Sequence, residues 1–222
     1  MVFDDQVAQR IAVLLLQAGA LRINTERPFR WSGGWLSPVY CDNRRTLSFP
    51  EVRTYIKEQL AAAIRSRFPS CEVVAAVATA GIAHGVLVAD LLQVPFCYVR
   101  PSPKEHGLQQ RIEGVLLPGS QVVVVEDLLS TGNSSARVVE VLQAAGAQVI
   151  GLAAIFSYEF NQARQALEQR NCPAVVLSSF SFLLMAARAS GGISEQQHQA
   201  LLNWQQDPQQ WSDQRSRQGA ME

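Results

Sequence analysis

VVVVEDLLSTGNSS, residues 122–135, passes from a β-branched run through two carboxylates into small hydroxyl and glycine residues. The four valines read as a buried strand, because a short, continuous, β-branched run fits a parallel sheet covered on both faces. The end of the stretch reads as a helix start, with Ser134 and Ser135 placed to cap the segment ARVVEVLQAAG that follows. A tight turn over residues 128–133 then joins strand to helix. In an open parallel sheet such a turn lies at the carboxyl end of a strand, where these folds bind ligands.

The rest of the chain sets limits on that reading. Its 222 residues suffice for one α/β domain with a sizeable core. Hydrophobic residues make up 48% and charged ones 17%, a globular balance rather than a disordered one. The formal net charge is zero, which removes the electrostatic case for nucleic acid or an anionic membrane as partner. The opening MVFDDQVAQRIAVLLLQAG has no basic leader and two early aspartates, so it is read as an amphipathic helix and not as a signal peptide. No apolar run approaches the roughly 20 residues of a membrane span. Cys41, Cys71, Cys97 and Cys172 are far apart and form neither a zinc pattern nor a disulfide framework. A cytoplasmic protein with reduced thiols is expected.

Outward from the turn, strands and helices alternate. Helices are expected over residues 6–18, 50–68, 82–92, 134–145, 161–169 and 180–189, and strands over 73–78, 96–99, 121–126, 148–156 and 174–178. This alternation predicts an α/β fold with a parallel sheet and right-handed crossovers. Residues 27–45, punctuated by Gly33, Gly34 and Pro38, are expected to be loop and short strand. A polar stretch runs from Arg100 to Gly114. Past Glu195 the chain turns glutamine-rich, and only a short helix around residues 200–205 is expected there. Residues 212–222 are expected to be disordered.

The turn itself can cradle a phosphate. Backbone N–H groups at a helix N-terminus point at an anion, and Gly132 lets it come close. Ser130, Thr131 and Ser134 add hydroxyl donors. The lysine of GxxxxGK[ST] is missing, so this is not a Walker loop, and there is no GxGxxG. Glu126 and Asp127 just before the cradle would repel a bare phosphate. They make sense if the ligand also carries vicinal hydroxyls or a Mg²⁺ that wants oxygen ligands. A ribose 5-phosphate satisfies both halves. The ATAG segment, residues 78–81, also ends a strand and opens a helix, so Thr79 and Ala80 can offer N–H groups to a second anionic group.

The stretch resembles the phosphoribosyl-pyrophosphate signature of type I phosphoribosyltransferases. With SGGWLSPVYCDNR, VATAGIAHG, YVRPSPKEHG and the tail LLNWQQDPQQW, all in order, it resembles the orotate phosphoribosyltransferase family over most of residues 20–211. The resemblance implies a type I phosphoribosyltransferase fold: a twisted parallel sheet flanked by helices, with a small hood mainly from residues 1–45. One domain would span 1–211, ending in a helical tail at 195–211. It implies transfer of ribose 5-phosphate from phosphoribosyl pyrophosphate to orotate with Mg²⁺, in a homodimer whose active sites are shared.

By the same resemblance, the catalytic residues would be Lys104, His106 and Asp127. Phosphoribosyl pyrophosphate would meet Arg100, Lys104, His106, Thr79 and Ala80. It would also meet Glu126, Asp127, Leu128, Leu129, Ser130, Thr131, Gly132, Asn133 and Ser134. Orotate would meet Tyr40, Arg44 and Thr131, with Arg44 on its carboxylate. Any metal would touch Asp127, mostly through the substrate. Gly107 and Gly114 would let residues 100–114 move as a lid over the neighbouring subunit's site. The chain departs from the family pattern at Ser32 and Pro101, where lysines are common, at IFSYEF, where an arginine is common, and at Asn133, where glycine is common. Two alternatives stay open: transfer to another base, and a phosphoribosyl-pyrophosphate-binding regulator. His84, Cys41 and Cys97 are read as packing, Trp31 and Trp35 as cover for the hood's core, and Trp204 and Trp211 as pins for the tail.

Overall fold

The computed structural model of the protein describes residues 1–31, 34–102 and 111–218. Helix α1 (Asp5–Gln17) opens the chain, its first turn closed by Asp4, which accepts a hydrogen bond from the Val7 backbone. Its buried stripe is Ala8, Ile11, Ala12 and Leu15, at the spacing an amphipathic helix requires. Four short strands follow: β1 (Leu21–Ile23), β2 (Phe29–Arg30), β3 (Leu36–Ser37) and β4 (Val39–Cys41). They pair as two antiparallel ribbons, β1 with β4 and β2 with β3, and make the hood. A 3₁₀ turn (Asn43–Ser48) leads into helix α2 (Pro50–Arg67). Pro50 sits where a helix loses no hydrogen bond to proline.

Strands and helices then alternate. Strand β5 (Val73–Val77) leads to helix α3 (Gly81–Leu92), followed by strands β6 (Phe96–Val99), β7 (Ile112–Glu113) and β8 (Gln121–Leu129). Helix α4 (Asn133–Ala144), strand β9 (Gln148–Ser157), helix α5 (Asn161–Glu168) and strand β10 (Ala174–Ser179) come next. Helices α6 (Phe180–Ala189), α7 (Glu195–Gln206) and α8 (Pro208–Gln218) complete the described chain.

The central sheet has the order β10-β9-β8-β5-β6-β7. All neighbours are parallel except β7, which runs antiparallel to β6 at the edge. This is the type I phosphoribosyltransferase arrangement that the sequence resemblance implies. The valines of β8 explain why the sheet is covered on both sides. Val123 and Val125 face a core with Ile11, Leu60, Ile155, Phe180 and Trp204. Val122 and Val124 face a second core with Val138, Leu142, Leu152 and Leu167. Alternation along one strand thus feeds two layers. Among the described residues no helix is long and apolar enough to cross a membrane.

Five local expectations are corrected. Strand β8 does not stop at Glu126 but continues to Leu129, because β9 extends alongside it and pairs Leu128 with Phe156 and Leu129 with Ser157. Ser134 and Ser135 do not cap α4; Gly132 occupies the cap position, and Ser135 turns inward instead. The polar stretch contains strand β7, held at its start by the Arg100 backbone N–H donating to the Arg111 carbonyl. Residues 212–218, expected to be disordered, belong to α8. Helix α7 likewise starts at Glu195 rather than near residue 200, behind a capping box of Ser194 and Gln197. Anchors that composition hides hold this tail. The side chain of Asp207 accepts from the Gln210 backbone, and the buried hydroxyl of Ser212 accepts from the Leu36 backbone at 2.8 Å.

Candidate functional site

The cradle is built at the carboxyl end of β8. Ser130, Thr131 and Gly132 turn the chain into α4, whose exposed first residues are Asn133 and Ser134. Gly132 has φ +79°, and a Cβ there would stand 2.8 Å from the Ala163 Cα, so both backbone angle and close approach require glycine. The unpaired N–H groups of the α4 first turn are left pointing out of the turn, as anion recognition needs. Leu128 lines the cleft beside Ser130, Thr131 and Asn133. Leu129 is buried in the second core, so only its backbone can serve a ligand.

The two carboxylates behave differently. Glu126 is 4% exposed; one carboxylate oxygen accepts from the Ser135 hydroxyl and the other from the Asp127 backbone N–H. Burial, then the neighbouring Asp127 charge, push its carboxyl well above the ordinary range. Asp127 is half-buried, so it is the acid of this pair more open to the cleft. Burial raises its pKa as well, while the Arg44 guanidinium pulls in the opposite direction. Both carboxyls are thus shifted upward, Glu126 by burial and the adjacent Asp127 charge, and Asp127 by burial against the pull of Arg44.

A second strand-to-helix turn stands beside the cradle's strand. The segment 78–81 turns β5 into α3 with Thr79 exposed, and the Ala78–Thr79 peptide is cis. Gly81 starts α3 against β8: a Cβ there would lie 2.8 Å from the Val125 carbonyl oxygen. Thr79 and Ala80 are thereby held at the head of a strand adjacent to β8.

The hood closes the other side. A cleft of about 700 Å³ is lined by Arg30, Trp31, Trp35, Tyr40, Cys41 and Arg44 from the hood. Leu128, Ser130, Thr131, Asn133 and Tyr158 line its sheet side. Tyr40, Arg44 and Thr131, implied as base contacts, therefore share one cleft. Arg44 is exposed and gives its Nε–H to Asp42 at 2.6 Å, which holds the Asp42 carboxyl below its usual range. Beneath it lies Asn43, fully buried. Its Nδ2 donates to the Asp127 carbonyl at 2.6 Å, and its Oδ1 accepts from the Cys41 thiol at 3.3 Å. Its own carbonyl accepts from the Thr46 hydroxyl. Burial lowers His84 to a pKa of about 4, so it is neutral at physiological pH and serves packing. Burial first, then Asp127 and Asp42, push the Cys41 thiol well up, which leaves it unreactive.

Arg100 lies at the end of β6, its guanidinium 3.6 Å from the Glu113 carboxylate. Arg111 donates to the carbonyls of Arg100 and Pro101 and clamps this point of the chain. Lys104 and His106 lie outside the described residues. Sequence reasoning missed five cleft residues, among them Cys41, which was read as packing. Trp31 and Trp35 were assigned to the hood's core, yet both line the cleft; Arg30 and Tyr158 were not singled out. Trp31 also packs on Tyr158 at 5.0 Å and on Trp204 at 5.9 Å, so it belongs to core and cleft together. The absent family arginine at IFSYEF was the available signal, because Tyr158 stands in that stretch.

Comparisons with known proteins agree with this geometry. Residues 50–183 match the family model of the phosphoribosyl transferase domain. A curated relative, orotate phosphoribosyltransferase of Cytophaga hutchinsonii, is 44% identical over 91% of this chain and 97% of its own. The solved structure of orotate phosphoribosyltransferase from Aeropyrum pernix superposes with a TM-score of 0.72 at 28% identity, covering 83% of this chain and 99% of that one. The structure of Leishmania donovani UMP synthase gives a TM-score of 0.75 at 23% identity over 89% of this chain. This chain spans 42% of that longer protein, and the likeness is one of fold.

Proposed function

The chain belongs to the orotate phosphoribosyltransferase family, and from that premise we propose how its residues carry out the reaction. The enzyme transfers ribose 5-phosphate from phosphoribosyl pyrophosphate to N1 of orotate, giving orotidine 5′-monophosphate and pyrophosphate on the route to UMP. N1 of orotate, having shed its proton, bonds to C1′ as the bond from C1′ to the pyrophosphate oxygen breaks. Positive charge builds on the sugar and negative charge on the leaving group. Placement and charge stabilisation therefore matter more than a strong base. The observation that carries the reading is the joining of one cleft from the phosphate cradle, Ser130 to Asn133, and an aromatic hood with two arginines.

In this assignment the cradle of Ser130, Thr131, Gly132, Asn133 and Ser134 holds the 5′-phosphate. Asp127 accepts from the ribose hydroxyls, with Glu126 fixing its backbone from behind. The N–H groups at Thr79 and Ala80, with Arg100, Lys104 and His106, meet the pyrophosphate. Trp31, Trp35, Tyr40 and Tyr158 form the wall for the flat base, and Arg44 takes its carboxylate. Among the described residues no three His, Cys, Asp or Glu side chains converge. Asp127, the acid open to the cleft, would be the protein's oxygen ligand for a Mg²⁺ that reaches the site with the substrate. When bound it would neutralise charge on the departing pyrophosphate.

A homodimer with shared sites follows from the same reading. Helix α3, GIAHGVLVADLL, has Asp90 as its single charged residue, yet Val86 is 45% exposed and Ile82, Ala83 and Leu87 are half-buried. A helix apolar on every side is one that is buried, and a second copy of the chain would cover it. The four cysteines, none in a disulfide, support a cytoplasmic setting. Formation of orotidine 5′-monophosphate and pyrophosphate in equal amounts from orotate and phosphoribosyl pyrophosphate tests the proposal. No product with either substrate in excess would overturn it.

A further inference from the structure

The acceptor wall of the cleft rests on weak local structure. Arg30, Trp31, Trp35 and Tyr40 sit on or beside the β2–β3 ribbon, which has two residue pairs, Phe29 with Ser37 and Arg30 with Leu36. A two-stranded ribbon of that size has no independent stability in water. What holds it comes from the other end of the sequence. The Leu36 backbone N–H, on the edge of the ribbon, donates to the Ser212 hydroxyl of α8 at 2.8 Å, and Ser212 is 4% exposed. Arg215 of α8 reaches the Thr25 carbonyl at 3.3 Å, in the loop leading to β2. One helix earlier, Gln205 donates to the carbonyl of the cleft residue Tyr158 at 3.1 Å, and Trp204 stands edge-on against both Trp31 and Tyr158.

We propose that the C-terminal helices α7 and α8 form the back of the acceptor-base subsite, with Ser212 as a positioning residue. Ser212 touches no substrate. It fixes the strand that carries Trp35 on one side and leads to Tyr40 on the other, so it sets the spacing of the wall against which the base lies. The phosphate cradle and the segment 78–81 hang on β8 and β5, inside the sheet, and among the described residues no hydrogen bond joins them to α8. The tail therefore governs the acceptor and leaves the donor alone. This assignment rests on the orotate reading above.

Ser212→Ala removes the acceptor of a part-buried N–H and should raise the KM for orotate about three- to tenfold, the equivalent of one hydrogen bond. The KM for phosphoribosyl pyrophosphate should stay at its wild-type value. Ser212→Thr, which keeps the hydroxyl, should restore most of the loss. A chain ending at Gln206 should show a larger acceptor defect, reversed by adding a synthetic peptide of residues 207–222. If that shortened chain fails to fold, the Ser212→Ala comparison still decides. An unchanged KM for orotate in Ser212→Ala, or an equal rise for both substrates, overturns the inference. Inactivity of the wild-type protein with orotate would instead overturn the functional reading on which it rests.

Discussion

The side-chain amide of Asn43 donates to the backbone carbonyl of Asp127 at 2.6 Å, so a fully buried residue of the hood holds the strand end that bears the half-buried acid. The same side chain accepts from Cys41, and the Asn43 backbone carbonyl accepts from the Thr46 hydroxyl. Asn43→Leu leaves the Asp127 carbonyl and the Cys41 thiol without their partner. We expect a stability loss of about 1–3 kcal/mol, read as a lower denaturation midpoint. Turnover should fall further than stability alone accounts for, because Asp127 loses its register. Wild-type turnover in the folded fraction would separate the hood from the acid.

Asp127→Asn keeps the shape of the side chain and removes the charge proposed to meet ribose hydroxyls or a substrate-borne cation. Turnover should fall by orders of magnitude while the thermal transition stays close to that of wild type. Steady-state kinetics beside a melting curve check both halves. Near-normal kinetics would take Asp127 out of the site.

Orotate and uracil differ by one carboxylate, and Arg44 is the residue assigned to it. Its Nε–H is given to Asp42, which leaves the Nη pair to grip a carboxylate. Arg44→Gln should raise the KM for orotate strongly and leave that for phosphoribosyl pyrophosphate nearly unchanged. Arg30, the other arginine lining the cleft, is the control. If Arg30→Gln carries the selective loss and Arg44→Gln does not, the carboxylate lies deeper under the hood.

Sharing of sites across a dimer can be tested by mixing. Lys104→Ala damages the segment assigned to the neighbour's site, and Asp127→Asn damages the cradle. Random exchange makes half the dimers mixed, each with one intact site, so about a quarter of wild-type activity should return. No recovery after demonstrated exchange would mean that each site is built within one chain.

His84 gives a pH dependence with a definite sign. Its folded pKa of about 4 lies below the ordinary 6.5, so the unfolded chain binds the extra proton between those values. Stability is fully present above pH 6.5 and is lost as pH falls toward 4, by an amount on the order of 3 kcal/mol. Glu126, pushed up by burial, works in the opposite direction, so the comparison must be with a variant. Denaturant midpoints of wild type and His84→Gln should converge as pH falls through this window. Parallel curves would show that His84 is not the group responsible.

The sheet was legible because its main strands are apolar runs bounded by turns, β-branched above all in β8, and several helices carry an apolar stripe. Val122 to Val125 alone specify both cores. Boundaries were less legible where pairing partners decide them: Leu128 and Leu129 belong to β8 only because β9 lies alongside. The cradle could be read from Gly132 and its hydroxyl neighbours, since that chemistry is local. The acceptor wall could not. Trp31 looks like core from its sequence, and only the crossing of hood, Tyr158 and Trp204 makes it cleft as well. Ser212 was hidden in a glutamine-rich tail, where nothing in the composition marks a buried hydroxyl.

In the proposed assignment the cradle takes the sugar phosphate and the hood chooses the base, and that choice is its centre. One vessel containing phosphoribosyl pyrophosphate, Mg²⁺ and equal amounts of orotate, uracil, adenine and hypoxanthine measures it directly. The account predicts orotidine 5′-monophosphate as the nucleotide formed, with pyrophosphate released one for one and the other three bases recovered. Accumulation of a purine nucleotide, or of UMP from uracil, while orotate is untouched would contradict it.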